Sequence, residues 1–203
     1  MSIKRETTNT KPQTIHPVIL AVPGKSRNLR GRDMVRFLSR YARQALDISS
    51  EKSGAVLKKL RKDKQGAPQP VDGNYWSLTH KPKYVGAVIA PDIIGIDLEE
   101  IRPCSESLIR KISNAHEWRL GGGSDMTRLF RYWTSKESVL KAAGTGMKGL
   151  SKCLVEEVLD DHKLIIRYMD RRWCIEHFYF NGHIAAIVKN SFLIEWHLLP
   201  ESL

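Results

Sequence analysis

Apolar residues recur at helical spacing through Met34, Phe37, Leu38, Tyr41 and Ala45 behind Asp33 as a cap, which predicts a helix over 33–47. Its other face carries Arg36, Arg40 and Arg43. Segment 49–73 mixes Ser, Lys, Gly and Pro and reads as loop, with at most one helical turn around 55–60. From Tyr75 the period changes to two over 75–79, 84–89 and 93–99, with Lys81-Pro82 and Pro91-Asp92 between, the pattern of an antiparallel meander. A helix is expected from Ser105, with Leu108, Ile109 and Ile112 inward, as far as Gly121-Gly122-Gly123. A stronger one over 125–143 ends at Gly144. Strands follow at 153–158, 163–169, 172–180 and 183–189, and the polar, Thr-rich residues 1–15 are expected to fray. The stretches 84–89 and 183–188 are alike, which hints at a duplicated unit.

The 203 residues suffice for one sizeable core or two small lobes, and an apolar fraction of 41% is ordinary for a globular protein. Cys104, Cys153 and Cys174 are too few and too scattered for a disulfide framework or a paired-thiolate zinc site, so a reducing compartment is expected. The apolar run 18–22 is too short to be a secretory core or to cross a bilayer, so we expect a cytoplasmic protein without membrane attachment. The net charge of +11 is concentrated: residues 25–64 hold thirteen Lys or Arg against four Asp or Glu. Such a field suits nucleic acid, an acidic protein surface, a multiply phosphorylated cofactor, or only solvent.

Period two in Ile94-Gly95-Ile96-Asp97-Leu98-Glu99 sends Ile94, Ile96 and Leu98 to one face and Asp97 and Glu99 to the other. Adjacent carboxylates fit a solvated surface or a hard cation. The helix over 125–143 adds a third acid, because Leu129, Phe130, Trp133 and Leu140 form its apolar stripe and Glu137 falls between the last two. A simple Glu137–Lys141 pair would explain the spacing but not the inward side. Asp97, Glu99 and Glu137 could supply part of a magnesium shell, with Lys136 and Lys141 suited to a phosphate-bearing ligand.

These two strings, the second being Trp133-Thr134-Ser135-Lys136-Glu137-Ser138-Val139-Leu140-Lys141, closely resemble the paired signatures of the 4′-phosphopantetheinyl transferases. Trp76-Ser77-Leu78-Thr79-His80 resembles the coenzyme-binding stretch of the surfactin-synthetase-activating type, and Gly66-Ala67-Pro68 stands where that type has G-K-P. The resemblance spans about residues 30 to 190 and implies an α+β fold of two similar lobes related by a pseudo-two-fold, each a small antiparallel sheet packed with helices, with the active site between them. It implies lobes at 1–94, on the adenosine and 3′-phosphate side, and 95–203, carrying the magnesium motifs, in a monomer.

Carried over position by position, the resemblance implies that Asp97, Glu99 and Glu137 hold Mg2+ on the pyrophosphate of coenzyme A. Thr79 and His80 would hold the 3′-phosphate, while Lys136, Lys141 and Arg32 would contact phosphates. Glu117 matches an acidic position of the family's intermediate helix. Ala67 departs from the family lysine, whose contact would come from Arg61, Lys62 or Lys64 if it is kept. The implied reaction is attack of a carrier-protein serine on the β-phosphorus of coenzyme A, with Glu137 as base, directly or through a metal-bound water, and Lys141 assisting. The partners are then an apo acyl or peptidyl carrier protein and coenzyme A, not nucleic acid. A basic nucleic-acid module, resting on charge alone, and another magnesium-dependent pyrophosphate-cleaving enzyme are the rival readings. Gly144-Thr145-Gly146-Met147-Lys148-Gly149 fits a dinucleotide motif but follows a helix, and Ser138-Val139-Leu140-Lys141 fits S-x-x-K without its companion motifs, so both are set aside.

Overall fold

The computed structural model of the chain describes residues 12–64 and 66–201. In chain order the elements are β1 (Thr14–Ile15), β2 (Val18–Ala21), α1 (Gly31–Ser53), β3 (Arg61–Lys62), β4 (Pro68–Gln69), β5 (Tyr75–His80), β6 (Tyr84–Ala90) and β7 (Ile96–Glu100). The order continues with α2 (Glu106–Ile112), α3 (Ala115–Leu120), α4 (Met126–Ala143), β8 (Leu154–Val158), β9 (Lys163–Tyr168), β10 (Arg171–Phe180), β11 (His183–Val188), β12 (Leu193–Ile194) and β13 (His197–Leu199). The fold is α+β. Of the segment expected to fray, residues 1–11 lie outside the described residues, whereas Thr14 and Ile15 pair in parallel with Leu193 and Ile194.

Helix α1 overruns its expected end by six residues. Ser49 and Ser50, read from sequence as loop, are buried: the Ser49 hydroxyl donates to the His16 carbonyl at 2.7 Å and accepts from the Ile89 amide at 3.2 Å, and the Ser50 hydroxyl donates to the Ala55 carbonyl. Those tertiary bonds offset the poor helix propensity of serine, and the helix stops at Gly54 in the left-handed region, φ 63°. At its other end Arg30, not Asp33, is the N-cap, and Asp33 sits in the first turn. The single helix expected from Ser105 to the glycines is two, because the Asn114 side chain accepts the amides of His116 and Glu117 and starts a new helix.

The expected three-strand meander is corrected. β5 and β6 form an antiparallel pair, but β7 leaves them and pairs with β11 in the other sheet. Beside the two-stranded pairs β1-β12 and β3-β4, the two larger sheets run β13-β2-β6-β5 and β7-β11-β10-β9-β8. In each, the strand before the long helix lies antiparallel to the last strand of the hairpin after it: β2 beside β6 around α1, β7 beside β11 around α4. The alike stretches 84–89 and 183–188 thus occupy equivalent strands, each with a sheet neighbour on both edges. The C-terminal segment returns to the start of the described chain, as β12 and β13 pair with β1 and β2.

Alternation assigns the cores. Val18 and Leu20 face α1 with Leu38, Ala45, Leu46, Val85, Ala87 and Ile89. A larger core surrounds α4 with Ile96, Leu129, Val139, Leu140, Ile166, Ile175 and Ile187. Ile19, on the opposite face of β2, meets Leu98, Phe180 and Ala185 and joins one sheet to the other. Helix α4, capped by Asp125 and ended by Gly144 at φ 69°, is therefore buried on most sides. Cys104, Cys153 and Cys174 are free thiols, and no described helix is long and apolar enough to cross a membrane.

Candidate active site

Gly95 brings β7 against α4. A Cβ there would collide with the Ser138 carbonyl and lie 2.8 Å from the Ala142 amide, so only glycine permits this approach. The close approach sets Asp97 and Glu99 opposite the Glu137 side of the helix. Asp97 is 3% and Glu99 8% exposed, which removes the solvated-surface explanation of the acidic pair. Two buried like charges need cations or donors to be tolerated, and the surroundings provide both.

Asp97 Oδ1 accepts from the Lys141 ammonium at 2.7 Å and the Thr79 hydroxyl at 3.0 Å. Its second oxygen, Oδ2, is buried with no partner. Glu99 Oε1 accepts from the Lys81 ammonium at 2.5 Å and the Trp133 indole at 2.8 Å. Glu137 is partly buried, and its carboxyl is pushed above the ordinary carboxylate range by burial first and by the neighbouring Asp97 charge second. An all-oxygen donor set with one orphaned buried carboxylate oxygen has the chemistry of a hard divalent cation site, so these residues fit magnesium. The three carboxylates do not close into a cluster with oxygens within 4.8 Å of one another; among the described residues that spacing belongs to His16, Glu195 and His197. Lys81 and Trp133 hold Glu99, and Lys141 holds Asp97.

β5 supplies the adjoining edge. Its alternation sends Trp76 into the α1 core, while the Ser77 hydroxyl accepts the Ile96 amide at 3.1 Å and Thr79 reaches Asp97. Thr79, expected at a phosphate, is 3% exposed and positions the carboxylate instead. His80 is exposed, and its imidazole is held below the usual histidine range by partial burial first and by the Lys141 charge second. A cleft of about 250 Å3 opens beside this edge, lined by Lys62, Ala67, Pro68, Leu78, Lys141 and Gly144 among others. Ala67 is thus in the cleft wall with Lys62 nearby, in the segment where the missing lysine would stand.

Lys141 and Lys136 part company. Lys141 Nζ directs its three protons to Asp97, the Ile96 carbonyl at 3.0 Å and the Leu78 carbonyl at 3.3 Å, tying β5, β7 and α4 together. The simple Glu137–Lys141 pair is not what forms. Lys136 does not join the site: it is 2% exposed, and its ammonium meets Glu117 Oε1 and the Ile112 carbonyl, both at 2.6 Å. Glu117 also accepts the Val155 amide at 2.8 Å and the Asn114 amide at 2.9 Å. One residue of helix is a rotation of about 100°, enough to send the neighbours Lys136 and Glu137 to different sides. Arg32 is exposed in the first turn of α1, and among the described residues no hydrogen bond or ion pair links it to the carboxylates.

Sequence reasoning missed Lys81, Trp133 as a donor, and Ser77. The signal for Trp133 was present, since it lies four residues before Glu137 on the same helical face and carries an N–H; Lys81 follows the strand in a turn and gave none.

Residues 93–188 match the family model described as the 4′-phosphopantetheinyl transferase superfamily. A curated relative, the 4′-phosphopantetheinyl transferase gsp of Aneurinibacillus migulanus, is 28% identical over 125 residues, covering 60% of this chain and 49% of the relative. The match thus spans about half the length of that protein. The matched segment contains all three carboxylates, the Gly95 contact that aligns them and the helix that supplies the third, so the likeness to the 4′-phosphopantetheinyl transferase superfamily falls on the part of the chain that builds the site.

Proposed function

We propose that this chain transfers the 4′-phosphopantetheine arm of coenzyme A to a serine of an acyl or peptidyl carrier protein, releasing adenosine 3′,5′-bisphosphate. The observation that carries the proposal is the buried, partnerless Oδ2 of Asp97, set with Glu99 and Glu137 beside a cleft with basic walls. Asp97, Glu99 and Glu137 would hold magnesium, which when bound offsets negative charge on the pyrophosphate. Thr79, Lys141, Lys81 and Trp133 hold Asp97 and Glu99 in place before any ligand arrives, so less reorganisation is left to the reaction. Lys141 keeps a positive charge next to the departing bisphosphate. His80, at the end of β5, binds the 3′-phosphate.

Glu137 takes the serine proton. The two sheets act as lobes about a pseudo-two-fold, divided near 94/95, and their repeated strand order supports that. A monomer in the cytoplasm fits the same reading. Arg36, Arg40 and Arg43 are exposed along α1 beside a groove of about 750 Å3 that also includes Leu29, Val35 and Phe37, a surface suited to an acidic carrier protein.

The test is mass spectrometry of an apo carrier protein incubated with this chain, coenzyme A and Mg2+. Gain of one phosphopantetheine mass on the serine, with stoichiometric bisphosphate release, is expected. Cleavage of coenzyme A with no change in carrier mass would instead identify a hydrolase.

A further inference from the structure

Apart from the carboxylate site, three potential ligands meet where the two ends of the described chain come together. His16 lies between β1 and β2, and Glu195 and His197 flank Trp196 in the C-terminal segment. Period two puts Glu195 and His197 on one side of that segment while Trp196 turns away and stacks on Phe178, centroids 5.4 Å apart. His16 Nδ1 is 3.1 Å from His197 Nε2 and 3.7 Å from Glu195 Oε2, and His197 Nε2 is 3.6 Å from Glu195 Oε1.

We propose that His16, His197 and Glu195 bind one divalent transition-metal ion of the zinc class, which clasps the C-terminal strand to the N-terminal one. Zinc takes nitrogen and carboxylate oxygen at about 2.0–2.2 Å, and at the tetrahedral angle such bonds place donor atoms about 3.3–3.5 Å apart. The two Glu195 distances run to different oxygens, Oε2 to His16 and Oε1 to His197; with one donor atom from each residue the three lie within 4.8 Å of one another, and rotation of the exposed Glu195 side chain would close them on an ion. A plain imidazole–imidazole hydrogen bond satisfies one lone pair and leaves the carboxylate at a distance; an ion engages all three donors.

The backbone holds the donors in register without any ion. The Glu195 amide donates to the Ile15 carbonyl at 3.0 Å, the His197 amide to the Pro17 carbonyl at 2.9 Å, and the Ser49 hydroxyl to the carbonyl of His16 itself. The imidazoles are mostly shielded, at 18% and 15% side-chain exposure, while Glu195 at 61% leaves an open side for entry and a water as fourth ligand. Lys52, in the last turn of α1, is the charge that opposes a cation here, and the Glu195 carboxylate offsets it. Two histidines and a carboxylate select zinc-class ions, where the all-oxygen set at Asp97 selects magnesium. Because the ligands lie 181 positions apart, the site exists only in the folded chain, and the ion stabilises β12 and β13 against detachment.

The test uses the untagged, metal-stripped chain in excess Mg2+, which occupies the oxygen site. Co2+ is titrated while the visible ligand-field bands and the tryptophan fluorescence of the chain are read, and Zn2+ is then added to displace it. One equivalent with bands of four-coordinate intensity, displaced by Zn2+ and raising Tm, is expected. The His16→Gln/His197→Gln variant should lose those bands and bind at least a hundred-fold more weakly. The exposed Glu195→Gln change should weaken binding about ten-fold with an unchanged far-UV circular dichroism spectrum, and it decides the matter if the double variant does not fold. Equal stoichiometry and affinity in wild type and variants would mean an adventitious ion only, and the proposal would fail; so would the absence of any band at one equivalent.

Discussion

Lys136→Met separates two roles that the same lysine could have. In the structure its ammonium is buried against Glu117 at 2.6 Å, both side chains being almost fully enclosed, at 3% and 2% exposure. Removing it strands a carboxylate that has only the Val155 and Asn114 amides for company. Loss of one partner of a buried pair costs about 3–5 kcal/mol, a large share of the roughly 5–15 kcal/mol that holds a domain together. For a chain of this size that is a fall in Tm of about 6–20 °C. The Lys136→Met/Glu117→Gln variant should recover part of the loss, since the introduced glutamine is neutral and its amide oxygen can still accept one of the two backbone amides. The assay is urea unfolding of wild type, both single variants and the double, joined to steady-state kinetics at a temperature where each is folded. KM for coenzyme A should be unchanged in Lys136→Met. Wild-type stability together with a raised KM would refute this account and return Lys136 to the phosphates.

Three further outcomes are expected. Gly95→Ala pushes β7 off α4 through the Ser138 carbonyl, so it should cost at least the 1–3 kcal/mol or so of an overpacked core and lower magnesium affinity along with Tm in the same sample. His177 is fully buried, its Nε2 2.7 Å from the Ser135 hydroxyl, and burial pulls its imidazole down to about 3. Below pH 6.5 the unfolded chain takes up a proton that the folded chain refuses until about 3, so the contribution is complete above 6.5 and is lost across that window at about 1.4 kcal/mol per unit. His177→Gln should remove that slope from urea unfolding at pH 7 and pH 5, and an unchanged slope would count against a neutral buried ring. His80→Ala should raise KM for coenzyme A much more than for its 3′-dephospho form, and equal effects on both would exclude the 3′-phosphate contact.

Local pattern carried far in this chain. The alternation in Ile94 to Glu99 put Asp97 and Glu99 on one side of a strand, and the stripe through Leu129, Trp133 and Leu140 put Glu137 inward, because strand and helix periods are properties of the backbone alone. Caps at Asp125 and Gly144 bounded α4 for the same reason. Everything that depended on a distant partner was silent. Ser49 and Ser50 prolong α1 through bonds to His16, Ile89 and Ala55, and β7 abandons its neighbours in sequence for β11, setting Asp97 opposite Ala186. Lys136 and Lys141 look alike in sequence, yet one closes a buried ion pair with Glu117 and the other fastens Asp97, since which cation meets which anion is set by the packing of α4 between layers. His16 and His197 come within 3.1 Å only because a parallel ladder joins β13 to β2, a contact that no periodicity along either strand encodes.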